Sequence, residues 1–172
     1  LLALSNLVQP FVSFGVQHAL IKFYSTCKTK EERDRLLSLS ITLPLIIFAI
    51  IILLSVTFQN EIIAFIASKN EAIGKYAFLI VAVAFSTAMF EVFYNWLRIQ
   101  LHSVYVNFLK EFYPRALIFT LLLLYAFVCL DLSGFIYALI IGYYLRLVLV
   151  ISYSLIKYTP KFSFKLPQQF KP

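Results

Sequence analysis

Charged residues, glycines and cysteines are all scarce in this sequence. Only 13% of its 172 residues are Asp, Glu, Lys or Arg, whereas ordinary soluble domains have about 25%. Hydrophobic residues make up 62% of the chain, and the mean hydropathy is +0.88. A compact soluble domain of this length cannot hide so much apolar surface from water, because small domains leave much of their surface exposed. The composition therefore excludes an ordinary soluble domain and predicts an all-α, polytopic integral membrane protein.

Residues that carry catalytic chemistry are also few. The chain has two cysteines, two histidines and eight acidic residues, and none of them stands in a metal-ligand spacing. Glycine-rich phosphate loops, HExxH, CxxC and GxSxG are all absent from the sequence. We therefore predict that the protein is not an enzyme and that it uses no cofactor or metal ion.

The net charge of +7 does not indicate a nucleic-acid partner. The basic residues stand in short runs between apolar segments, as expected for signals that set membrane topology. The predicted partner is therefore the lipid bilayer, and no nucleic acid is expected.

Apolar segments divide the chain into five predicted spans. A bilayer core about 30 Å thick requires roughly 20 apolar residues of helix. We predict one transmembrane helical domain over residues 1–172, with spans at about 1–24, 38–58, 76–97, 104–128 and 134–157. The first span is the most polar, which suits a helix that lines a wet interior. GxxxG is absent, so the helices are expected to associate through Ala, Ser and large side chains.

The distribution of Lys and Arg predicts the orientation. With five spans, the segments 22–36, 98–115 and 157–172 share one side of the membrane and carry twelve basic residues, whereas segments 59–75 and 129–133 carry two. The basic side is the cytoplasmic one. The chain therefore starts at the outer face of a bacterial inner membrane and ends in the cytoplasm. It also begins in mid-pattern, which indicates a fragment of a larger protein.

Two ionisable residues interrupt the apolar spans. Arg146 is about 18 Å deep in the last span and Glu91 about 22 Å deep in the third, at a rise of 1.5 Å per residue. A charge at the bilayer centre costs at least about 2.5–3.5 kcal/mol on insertion scales. Either the two residues pair and hold their helices together, or Arg146 faces a water-filled cavity and attracts an anionic substrate. A third possibility is that Arg146 snorkels to the inner interface.

Other polar residues are weaker candidates for the cavity. Asn95 is four residues from Glu91 and shares its helical face. Gln17 and His18 stand near Lys22 in the first span, although Lys22 also suits a helix end and His18 a backbone contact.

Two further clusters stand near the later spans. We assign Lys110, Glu111 and Arg115, beside Pro114, to anchoring at the membrane interface rather than to substrate contact. Tyr143 and Tyr144 are close to Arg146 in sequence and suit stacking on sugar rings, but aromatic residues are 17% of the chain.

Two stretches carry a resemblance to a known family. GVQHALIKFYS (15–25) precedes a charged elbow, TCKTKEERDRLLS (26–38), and NWLRIQLHSVYVNFLKEF (95–112) looks like a later elbow. They resemble the O-antigen and oligosaccharide-lipid flippases of the multidrug/oligosaccharidyl-lipid/polysaccharide exporter superfamily. In that family a Gly, small residues and a basic residue precede an "EER"-like elbow. The matching positions here are Gly15, Ala19, Lys22, Glu31, Glu32 and Arg33, with Arg98 ending the later helix.

The resemblance implies that the chain holds helices two to six of a larger transporter and forms most of one lobe. Two such lobes would enclose a cavity that opens alternately to each side and carries an undecaprenyl-pyrophosphate-linked oligosaccharide across the inner membrane. The implied partners are that lipid-linked oligosaccharide and the remaining helices of the parent chain. Two alternatives stay open: a multidrug or cation extruder of the same superfamily, and a fragment of a membrane polysaccharide-assembly enzyme.

Overall fold

The protein is all-α. The computed structural model describes residues 2–61, 77–127 and 131–160, and these contain helices and no strand. The helices are α1 (Leu2–Ser13), α2 (Val16–Tyr24), α3 (Lys30–Thr57), α4 (Ala77–Ile99), α5 (Ser103–Asn107), a π-helical turn (Phe108–Phe112), α6 (Tyr113–Ala126) and α7 (Leu132–Lys157).

Three of the described helices, α3, α4 and α7, are long and apolar enough to cross a membrane. They overlap the predicted spans 38–58, 76–97 and 134–157, but α3 begins eight residues earlier and ends at Thr57, and α4 and α7 each extend two residues further at one end. Residue 76 lies outside the described residues. This arrangement is compatible with a membrane-embedded protein. The predicted spans 1–24 and 104–128 are each interrupted, so the count of five spans is not confirmed.

The first interruption lies between α1 and α2. Gly15 has a φ of 70°, in the left-handed region, and Phe14 before it has a φ of 45°. Only glycine adopts that region at little cost, so the helix ends here and restarts at Val16. Neither half is long enough alone to cross a bilayer.

The first segment contacts α4 through its small polar residues. Ser5 and Ser13 are buried, and the Ser5 hydroxyl donates to the carbonyl of Ile80 on α4 at 3.1 Å. The exposed face carries large apolar side chains together with polar ones: Leu7, Phe11, Phe14, Asn6 and His18.

The second interruption is the π-helical turn before α6. Pro114 has no N–H to donate to the carbonyl four residues earlier, that of Lys110, and its ring collides with that carbonyl in a regular α-helix. The chain widens into the π-helical turn at Phe108–Phe112, which ends two residues before this proline. The fourth predicted span is therefore built of α5, the turn and α6 rather than one regular helix.

The charged elbow between α2 and α3 forms a helix cap. The hydroxyl of Thr29 accepts a hydrogen bond from the Glu32 backbone N–H at 3.2 Å, and the Glu32 carboxylate accepts one from the Thr29 N–H at 3.2 Å. This reciprocal pair satisfies two amides that the first turn of a helix leaves unpaired. Glu31 adds an ion pair to Arg35, 3.9 Å apart. The "EER" stretch therefore has a structural explanation of its own.

Helix α4 occupies the centre of the described structure and packs against α1, α2, α3 and α7. Side-chain hydroxyls join its backbone to that of α7. Ser86 donates to the carbonyl of Tyr143 at 3.0 Å, and Tyr144 donates to the carbonyl of Ala82 at 3.1 Å. Serine and large side chains thus hold these helices together, as the absence of GxxxG predicted.

One glycine nevertheless allows a close helix contact. Gly142 on α7 is buried, and a Cβ at this position would collide with the side chain of Leu117 on α6. The hydroxyl of Tyr113 donates to the Gly142 carbonyl at 3.0 Å across the same contact. A larger residue at position 142 would therefore require the Leu117 side chain to shift.

Candidate functional site

The candidate site is centred on Arg146 of α7. Its side chain is inside the helix bundle, and the residue is only 5% exposed. The guanidinium carbon lies 3.9 Å from the ring centroid of Phe90 on α4 and 5.0 Å from that of Tyr143. The predicted snorkelling of Arg146 to the interface does not fit this burial, since snorkelling keeps the charged group in water.

The guanidinium is incompletely satisfied. Among the described residues, its Nε is buried and has no hydrogen-bond partner. Aromatic faces attract a cation electrostatically, but they do not accept the in-plane N–H bonds of a guanidinium as an oxygen does. A buried cation without a hydrogen-bonded anion is unfavourable. The site therefore has an unused N–H group that can donate a hydrogen bond to an anion.

Glu91 is not the partner of Arg146. The described residues place no ion pair between them. Instead, the Glu91 carboxylate contacts the Lys110 ammonium at 2.9 Å through Oε1 and at 3.1 Å through Oε2. Glu91 is still near enough to Arg146 to interact with it electrostatically. Of the three sequence-based interpretations of Arg146, the geometry supports neither the mutual ion pair nor snorkelling.

Lys110 was assigned from sequence to interfacial anchoring, and its pairing with Glu91 was not predicted. The π-helical turn directs its side chain towards α4, where the ammonium also lies 4.2 Å from the ring centroid of Tyr94. The Tyr94 hydroxyl donates to Oδ1 of Asn107 at 2.8 Å and so ties α4 to the end of α5. By contrast, Glu111 and Arg115 are exposed and pair with each other at 3.4 Å.

Asn95, predicted to belong to the cavity, is buried but uses its amide locally. Its Nδ2 donates to the carbonyl of Glu91 one turn earlier at 2.8 Å. Such a bond keeps the side chain against its own helix. Asn95 therefore supports the backbone beneath Glu91 rather than extending the candidate site.

The three candidates on α2 do not join the site. In the described structure, Gln17, His18 and Lys22 form no hydrogen bond or ion pair with Glu91 or Arg146. His18 and Lys22 are exposed, whereas Gln17 is half-buried with its Oε1 unpaired. His18 and Lys22 are four residues apart, so they lie on the same face of α2, and that face is exposed.

A second polar cluster, not predicted from sequence, joins the elbow to the end of α7. The hydroxyl of Tyr158 donates to Oδ1 of the buried Asp34 at 2.6 Å. The Tyr158 ring meets Trp96 edge to face at 5.2 Å between centroids, and Trp96 meets Tyr24 in the same way at 5.5 Å. Burial and the bond to Asp34 raise the pKa of the Tyr158 hydroxyl above its usual range.

This cluster brings together the elbow, the end of α4 and the end of α7. The segments 22–36, 98–115 and 157–172 were grouped on one side of the membrane from their basic residues. The contact between Asp34 and Tyr158 joins the first and third of these segments, and the ring of Tyr105 in the second lies 4.3 Å from that of Tyr153, about one turn before the third. Tyr158 carried no signal in the sequence, because its partner lies 124 residues away.

Metal ligands do not cluster in the part of the chain that the structure describes: no group of three His, Cys, Asp or Glu side chains is suitably placed there. Comparison with known protein families, with curated proteins and with solved structures finds no match to this chain.

Proposed function

We propose that the chain belongs to a membrane transporter that moves an undecaprenyl-pyrophosphate-linked oligosaccharide across the bacterial inner membrane for surface polysaccharide synthesis. The observation that carries the proposal is the buried Arg146 guanidinium with an unpaired Nε. In an apolar helix such a cation marks a substrate path by default. A pyrophosphate matches it, because guanidinium binds phosphate oxygens through paired N–H bonds.

The surroundings of Arg146 support an amphiphilic glycan substrate. The rings of Phe90 and Tyr143 lie beside the guanidinium, and the exposed side chains on α3 include Ile46, Ile50 and Leu53. An apolar outer face suits a lipid chain, whereas the aromatic faces near a cation suit a phosphorylated sugar. In this proposal the basic elbows lie in the cytoplasm, where the substrate is made, and the end of the chain that carries α1 lies outside.

The alternative of a cation extruder requires a free acid in the cavity. Glu91 is the acidic residue next to Arg146, and its carboxylate is already neutralised by Lys110 at 2.9 Å. This pairing favours an anionic substrate over a cationic one.

The test uses the full chain in its native host. Arg146→Ala and Arg146→Lys are compared for surface polysaccharide and for lipid-linked glycan retained on the cytoplasmic face. Arg115→Ala is the matched control, because it removes an exposed arginine whose partner Glu111 is also exposed. We expect Arg146→Ala to lose surface glycan at a normal protein level, Lys to restore part of it, and Arg115→Ala to behave as the wild type.

Two outcomes contradict the proposal. Normal export by Arg146→Ala would remove the residue from substrate handling and leave it a packing residue of α7. Normal surface glycan after deletion of the whole gene would exclude the glycan substrate and favour the extruder.

A further inference from the structure

One carboxylate near the candidate site is adjacent to two cations but bonds only one of them. Glu91 follows Phe90 in α4, and the Phe90 ring covers the Arg146 guanidinium at 3.9 Å. The carboxylate itself holds Lys110 at 2.9 Å. Among the described residues Arg146 donates no hydrogen bond to this carboxylate, although the two charges interact electrostatically. Because the Glu91 carboxylate pairs with Lys110, the Nε of Arg146 has no hydrogen-bond partner among the described residues.

The position of Lys110 is set by the backbone around it. It lies within the π-helical turn, directly after Leu109, which is 2% exposed. Val106, one turn earlier, is fully buried. The Tyr94 ring lies 4.2 Å from the ammonium, so a cation–π contact holds it from a second direction. Single π-helical turns inside longer helices frequently occur at functional sites.

We infer that Lys110 is a positioning residue that sets the anion affinity of Arg146 by holding the Glu91 carboxylate away from it. The inference rests on the proposed function, in which Arg146 binds the anionic part of the substrate. A released Glu91 is itself an anion, tethered beside Arg146 at a high effective concentration. It then competes with the ligand for the same N–H groups. Lys110 therefore acts through Glu91 and needs no contact with the ligand.

The ligand chemistry is a diphosphate group, which presents several oxygens to a planar guanidinium. The same group occurs in a polyprenyl diphosphate lipid and in free pyrophosphate. Binding is therefore measured with two probes on the purified full chain in detergent micelles: inorganic pyrophosphate and farnesyl diphosphate. A stronger response to farnesyl diphosphate identifies a lipid-linked source, and an equal response identifies the diphosphate alone.

The variants separate Lys110 from Glu91. Lys110→Met keeps an unbranched side chain and removes the charge, and Lys110→Arg keeps the charge. Lys110→Met is then combined with Glu91→Gln, which removes the competing carboxylate. Arg115→Met is the control for loss of a cation in the neighbouring α6, and Arg146→Gln tests the proposed anion site itself. The melting temperature of each variant reports whether it is folded.

We expect Lys110→Met to weaken binding about tenfold, the size of one hydrogen bond to a charged group. The double variant returns to the wild-type affinity, Lys110→Arg stays close to it, and Arg115→Met is unchanged. Arg146→Gln loses binding in every background. If Lys110 and Glu91 formed only a structural ion pair, removing the Glu91 carboxylate as well would not restore the affinity for the probe.

The contradicting outcomes point to different errors. If Arg146→Gln weakens binding but Lys110→Met does not, the positioning role of Lys110 is overturned and the anion site stands. If Lys110→Met and the double variant are equally weak, Lys110 acts on the ligand or the fold directly, and the inference is again overturned. If Arg146→Gln binds both probes as the wild type does, or the wild type binds neither, the proposed function itself fails.

Discussion

The hydroxyl of Tyr158, directly after α7, donates a 2.6 Å hydrogen bond to Oδ1 of Asp34, near the start of α3. Asp34 is 4% exposed, so its carboxylate is largely removed from water and depends on protein partners. Hydrogen bonds to charged groups contribute more to stability than bonds between neutral groups. This bond therefore fixes the end of the last described helix to the elbow.

Replacing Tyr158 by Phe removes the donor and keeps the ring. We expect the free energy of unfolding in detergent to fall by about 1.5–3 kcal/mol, the range for hydrogen bonds to charged groups. Tyr137→Phe, at a site that is 54% exposed, is the control and should leave stability unchanged. Equal stability of the wild type and Tyr158→Phe would show that the bond contributes nothing.

The contact between Phe90 and Arg146 gives a second prediction. Phe90→Leu removes the aromatic face over the guanidinium, whereas Phe93→Leu removes a comparably buried ring on the same helix. Both variants lose packing, but only the first also loses a cation–π contact, which is worth about 2 kcal/mol or more when desolvated. Unfolding measurements should therefore show a larger loss for Phe90→Leu by about that amount. A loss no larger than that of Phe93→Leu would mean that the ring serves only as core.

The crossing of α6 and α7 gives a third prediction. Gly142→Ala introduces a methyl group that collides with Leu117. The colliding atoms are the end of a flexible, half-buried leucine side chain that can shift, so we expect a cost at the low end of overpacking, about 1 kcal/mol. Combining it with Leu117→Ala makes room for the methyl group, so the double variant should be less destabilised than the sum of the two single variants. Thermal unfolding of the three variants tests this, and strict additivity would show that the two residues do not meet.

The long uniform helices were predictable from local sequence. The predominantly apolar residues of 38–58 and 134–157 form one helix each whatever they pack against: α3 covers the first range up to Thr57, and α7 covers the second. The charged elbow was also recognisable as a break between two helices. Its cap is formed by Thr29 and Glu32, which are three residues apart, as in a capping box. The interruptions in the predicted spans 1–24 and 104–128 were missed, because hydropathy does not register a change in backbone conformation at Gly15 or before Pro114.

The candidate site was predictable only in part. Depth along a helix singled out Arg146 and Glu91 from their own spans, since a charge in an apolar helix is visible without a partner. The depth of a residue along its helix does not specify which side chain of a neighbouring helix it contacts. Lys110 is 19 residues from Glu91 and was assigned to a different environment. Helical spacing also grouped Asn95 with Glu91, and His18 with Lys22. In the structure the Asn95 amide bonds the backbone of its own helix, and His18 and Lys22 are exposed.

Sequence alone therefore determined that this protein is all-α and has helices long and apolar enough to cross a membrane, because the composition and length of each apolar segment do not depend on tertiary contacts. The tertiary structure decided which charges meet. A π-helical turn brings Lys110 to Glu91, and Arg146 is left between Phe90 and Tyr143 with an N–H unpaired. Those contacts depend on how α4, α7 and the turn before α6 pack together, and no short stretch of sequence contains that information.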